Sequence, residues 1–84
     1  MQDRFKKVIE KIIVPHFNNI EYVDVREFHK PLTLRKTVYQ VEYGVNSEFD
    51  MKDYPKLVNE TISLFKMLGP SDNEALLDVL VQPV

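Results

Sequence analysis

Between Lys36 and Val45 the chain alternates with a period of two: Thr37, Tyr39, Val41, Tyr43 and Val45 fall on one side, Lys36, Val38, Gln40, Glu42 and Gly44 on the other. Successive side chains of a strand point to opposite faces, so this stretch reads as a strand with one face in a core. Ile20 to Phe28 reads as a second strand, with Val23 and Val25 on one face and Ile20, Tyr22 and Phe28 on the other. The link His29-Lys30-Pro31-Leu32-Thr33 has the length of a five-residue hairpin loop. Pairing Phe28 with Leu34 then sets Val25 opposite Thr37 and Val23 opposite Tyr39. A slip of one residue would turn Lys36 and Gln40 into the core, whereas a slip of two keeps every side chain on its face.

The helical period flanks this hairpin. Phe5, Val8, Ile9, Ile12 and Ile13 recur at the spacing of an amphipathic helix, with Arg4, Lys6, Lys7, Glu10 and Lys11 around them. Pro15 ends it, having no amide for the next turn and disfavouring a helical Val14. Tyr54, Leu57, Val58, Thr61, Ile62, Phe65 and Leu68 form a second stripe, with Leu64 and Met67 widening it. Pro55 suits the first turn, Asp50 or Asp53 suits a cap, and Gly69-Pro70 suits a stop. After it, Ala75, Leu77, Val79 and Val81 alternate as a strand would, although Ser71 and Glu74 also fit a capping box. We read a third antiparallel strand here, because a two-stranded hairpin alone is marginal in water.

The pattern predicts an α+β fold in two layers, in the order α-β-β-α-β, with a small antiparallel sheet and two helices packed on one of its faces. Residues 1–84 form one domain, short enough to bury only about 60 to 65% of its unfolded surface. There is no cysteine, hence no disulfide and no thiolate metal cage. The charged helix at the start is not a signal peptide, and no segment approaches the roughly 20 apolar residues of a membrane span. The expectation is a soluble, intracellular, cytoplasmic protein with no membrane partner.

The net charge of -2 hides an asymmetry. Residues 1–40 hold eight Lys and Arg against five acids, and residues 41–84 hold three against eight. Such a bipolar chain suits head-to-tail or hetero-association, although solvated charges on ordinary helix faces give the same count.

Chemistry finds little purchase in this composition. Ser47, Ser63 and Ser71 stand in no nucleophile motif, and the two histidines, His16 and His29, occupy separate connections. Glu48, Asp50 and Asp53 lack the glycine and ligand spacing of a calcium loop. Gly44 and Gly69 build no phosphate-cradling loop, and Asn59-Glu60-Thr61 is a glycosylation sequon inside a helix. No family signature is recognised. We therefore expect no catalytic residues, no metal, no cofactor and no enzyme.

Binding has more support. If Val23, Val25, Tyr39 and Val41 face the helices, Ile20, Tyr22, Phe28 and Val38 lie on the other side of a sheet with no second layer to cover them. These four are the expected protein interface, either with a second copy or with another protein, since exposed apolar patches mark interfaces. The competing expectation is that the tail folds back over this face. Leu80 to Val84 also has the composition of a motif that adds a strand to a partner's sheet. A different reading takes the basic hairpin, Arg26, Lys30, Arg35 and Lys36, as a weak and salt-sensitive nucleic-acid site, against Asp24 and Glu27 nearby and a pI of about 5.6. Tyr39 and Tyr43 are assigned to the core, and Met51 and Met67 to gap-filling. A stand-alone accessory, structural or inhibitory subunit, of the kind carried by viruses and mobile elements, fits this profile.

Overall fold

The computed structural model describes residues 2–30, 36–68 and 75–84. Helix α1 (Gln2–Val8) runs into a π-helical segment (Ile9–Ile13) and a 3-10 turn (Val14–His16). Strands β1 (Ile20–Lys30) and β2 (Lys36–Val45), helix α2 (Tyr54–Leu68) and strand β3 (Ala75–Pro83) follow. The fold is α+β in the expected order of helix, strand, strand, helix, strand. Its three-stranded sheet has the order β1-β2-β3. The proposed hairpin tip, the Gly69-Pro70 stop and the Ser71/Glu74 box all lie wholly or partly outside the described residues.

β1 and β2 are antiparallel, but in a register other than the expected one. Val25 faces Val41, Val23 faces Tyr43 and Phe28 faces Val38, so β2 is displaced by four residues from the pairing of Val25 with Thr37. An even shift preserves every face, and this one exchanges a Val-Thr pair for a Val-Val pair on the core side while keeping Val23 opposite a tyrosine. Near the start of β1 the register breaks: Ile20 pairs with Val45, yet Tyr22 pairs with Gly44. The extra residue is a bulge, which reverses the side to which Ile20 points.

β3 occupies the third position but runs parallel to β2, from Thr37 opposite Ala75 to Val45 opposite Pro83. The expectation of a third antiparallel strand is corrected by the crossover. Helix α2 has 15 residues and so covers about 22 Å, enough to carry the chain back along the sheet before it re-enters. The sheet is therefore mixed, with β2 at its centre.

Both helices cover the same sheet face. Phe5, Ile9, Ile13, Leu57 and Thr61 are at most 2% exposed, as are Val25, Val41 and Tyr43 from the strands. Phe65 joins the layers, its ring 5.5 Å from that of Phe5 and 5.6 Å from that of Tyr39. Thr61 donates to the Leu57 carbonyl at 2.7 Å, so the 2.7 Å contact with the Tyr43 hydroxyl has Tyr43 as donor. Burial pushes the Tyr43 phenol up to about 12, and the Glu60 carboxylate adds to the rise.

The π-helical segment alters the first stripe. A wider turn brings residues four apart into line, and Phe5, Ile9 and Ile13 are the buried set, while Ile12 turns out to 50% exposure. Leu64 is buried with the core, but Met51 and Met67 are 72% and 81% exposed and fill no gap in it. Asp50 caps the 3-10 turn Met51–Asp53 by accepting from the Lys52 amide at 2.9 Å. Asn19 adopts a left-handed φ of 73°, which asparagine tolerates, and its carbonyl accepts from the Asn46 amide at 3.1 Å. That bond ties the entry of β1 to the exit of β2.

Candidate functional site

The register aligns the outer sheet face into rows that cross all three strands. Phe28, Val38 and Leu76 make the first row, Arg26, Gln40 and Asp78 the second, Asp24, Glu42 and Leu80 the third, and Tyr22, Gly44 and Gln82 the fourth. No described element lies over these rows. Phe28 and Leu76 stay 44% and 43% exposed at the two ends of the first row, with Val38 half-buried between them. An in-register apolar row spanning a sheet, with polar groups beside it, has the make-up of an interface core and rim.

The polar rows are organised by their own contacts. The Gln40 amide donates to Asp78 Oδ2 at 3.3 Å, which links β2 to β3. Asp24 receives Arg26 Nε at 3.5 Å and Lys6 Nζ at 4.0 Å. In the fourth row the Tyr22 ring lies over the Gly44 backbone, and its hydroxyl donates to Glu42 Oε2 at 2.8 Å. That hydrogen bond, more than any other cause, raises the Tyr22 phenol above its ordinary value.

Three of the four expected interface residues, Tyr22, Phe28 and Val38, thus share the outer face, although the polar rows separate Tyr22 from the other two. Ile20 does not join them. The bulge aligns it with Val45 and packs it against the buried cluster, so its place in the interface is withdrawn. Leu76 was missed because its partner on β2 depends on the direction of β3. β3, the described part of the tail, extends the sheet beside β2 and does not fold over the outer face.

Of the basic residues, Arg26 is held by Asp24, Lys30 and Lys36 form the last pair of the β1-β2 ladder, and Arg35 lies outside the described residues. His16 Nδ1 stands 3.7 Å from Glu60 Oε1 at the end of the first helical run. His29 lies nine residues beyond Ile20 on β1, roughly 30 Å along the strand, so the two histidines share no site. Among the described residues no three His, Cys, Asp or Glu gather in a way that would hold a metal ion. No helix of the described residues is long and apolar enough to cross a membrane.

On the far side of the helices an open groove of about 600 Å³ runs between the first helical run and α2, with Ile12, Leu64 and Met67 among its apolar walls and Lys52, Lys56 and Glu60 among its polar ones. Sequence periodicity assigned Ile12 to a buried position, and the π-helical turn is what a count at 3.6 residues per turn passes over, while Met67 on α2 lies outside the main stripe of its helix. No protein-family model matches the chain, and no curated protein or solved structure matches it either.

Proposed function

We propose that this chain is a non-enzymatic protein-binding module, an accessory, structural or inhibitory subunit that works by covering its outer sheet face with another protein or a second copy. The observation that carries the reading is the apolar row Phe28, Val38 and Leu76, in register across the whole width of the sheet and under no described layer. Burying such a row removes aromatic and aliphatic surface from water at about 25 cal/mol per Å². The neighbouring Arg26, Gln40 and Asp78 supply a polar rim that fixes orientation more than affinity. A chain without cysteine suits a reducing cytoplasm.

Replacing Phe28 by serine tests the reading. The association should weaken by about 1 to 3 kcal/mol, the range of an interface anchor, while the helical circular dichroism stays at its wild-type value. A complex that forms through the outer face and is held equally well by wild type and Phe28→Ser contradicts it.

A further inference from the structure

The two edges of the sheet are treated differently. At the β1 edge, the Val25 amide donates to Asp24 Oδ1 at 3.0 Å and the Val25 carbonyl accepts from the Gln2 side-chain amide at 2.7 Å. With both groups occupied by side chains and a bulge at Ile20/Tyr22, this edge offers an incoming strand a poor template. Among the described residues β3 carries none of these devices. Its pairing with β2 has no irregularity, Asp78 is its one charged residue, and its proline, Pro83, stands at the end.

The outward groups of β3 follow from one bond. The Val84 amide donates to the Val45 carbonyl at 2.8 Å, and residues of a parallel strand address their two sides alternately. Leu76, Asp78, Leu80 and Gln82 therefore bond to β2, while Ala75, Leu77, Val79 and Val81 direct their amides and carbonyls away from it. Pro83 shares that outward parity and has no amide to satisfy. The side chains of Leu77, Val79 and Val81 also pack on the core only in part, whereas Tyr39, Val41 and Tyr43 beside them are 6%, 0% and 0% exposed. Among the described residues nothing closes the core along this edge.

We infer that β3 pairs with the β3 of a second copy, antiparallel about a two-fold axis at Val79, joining two sheets into one. The strand is its own complement about that residue. Leu77 falls opposite the partner copy's residue 81 and Val79 opposite its equivalent, which makes apolar pairs on the helix side. Each hydrogen-bonded pair exchanges two bonds, about six in all. On the outer side, Asp78 meets leucine and Leu76 meets glutamine, so the two carboxylates are never opposed. The β1 edge offers no such symmetry. This joint stands apart from the outer face, and both faces of the dimer would lie on the same side.

The test uses the purified full chain. Light scattering over a hundredfold concentration range should give a mass of two chains at the upper end. Residue-resolved hydrogen exchange should show protection of the Leu77, Val79 and Val81 amides rising about tenfold with concentration. Val79→Pro removes an outward amide that makes no bond to β2, so it should raise the dissociation constant at least about tenfold with unchanged circular dichroism. Phe28→Ser should leave the dimer intact, which separates this joint from the outer face. A single-chain mass at every concentration overturns the inference, as does a dimer whose β3 amides exchange at the same rate at all concentrations. A dimer lost in Phe28→Ser but kept in Val79→Pro also overturns it. Should Val79→Pro fail to fold, the wild-type exchange pattern decides alone.

Discussion

The Tyr22 ring occupies the place where a Cβ on Gly44 would stand. The two residues are cross-strand partners at the bulged end of the hairpin, and the ring shields a stretch of β2 backbone that has no side chain of its own. From there its hydroxyl reaches Glu42.

Gly44→Ala should displace that ring and break its hydrogen bond. Because the obstructing atoms are the far part of an exposed side chain, the change in stability should stay within about 1 kcal/mol, partly offset by the better strand propensity of alanine. The Tyr22 phenol, held above 10.0 chiefly by Glu42, should return towards it. A titration of Tyr22 by NMR in both proteins checks this, and an unchanged phenol pKa would show that the ring had not moved.

Alkali should loosen the core through Tyr43. Its folded phenol is pushed up to about 12 from 10.0, so between those values the unfolded chain loses its proton first. Its contribution is full below pH 10.0, falls as pH rises, and is gone above about 12, a total of about 2 to 3 kcal/mol. Tyr43→Phe should remove this dependence at the cost of one hydrogen bond, about 0.5 to 1.5 kcal/mol near neutrality. Urea denaturation from pH 8 to 12 compares the two slopes, which should differ.

Phe5→Ala should cost about 3 to 5 kcal/mol, since the ring is fully buried against Phe65 and no neighbour can follow it into the space. A chain of this length has a total stability of about 4 to 13 kcal/mol, so the loss should take at least about a quarter of it and all of it at the lower end. The urea midpoint measures it, and a loss below about 1 kcal/mol would mean that Phe5 is not at the centre of the core.

Gln2→Ala should free the Val25 carbonyl at the β1 edge and cost about 0.5 to 1.5 kcal/mol. The same substitution removes one device that keeps the edge from pairing, so the variant should also associate more readily at high concentration. Thermal denaturation and light scattering read the two effects separately.

What was legible in the chain was local periodicity. The alternation of Tyr39, Val41 and Tyr43 and the stripe through Leu57, Thr61 and Phe65 identify the buried sides, because each needs only a few neighbouring residues to be read. The register of β1 on β2 was not legible, since every even slip keeps Val23 and Val25 on the core side. Ile20 was misplaced because a bulge adds one residue without any mark in composition. The direction of β3 follows from where α2 releases the chain, which alternation along Ala75 to Val81 does not encode. Of the candidate face, Tyr22, Phe28 and Val38 were readable from parity, while Leu76 needed the sheet order.

The central claim is that the outer face meets another protein, and photo-crosslinking from position 28 tests it most directly. A benzophenone-bearing phenylalanine analogue replaces Phe28 with little change of shape, and the same analogue at the exposed Asn59 on α2 serves as the control. Irradiated in the cells that make the protein, the position 28 form should give a discrete protein adduct that the position 59 form does not. Adducts absent from position 28, or identical from both positions, would contradict the account.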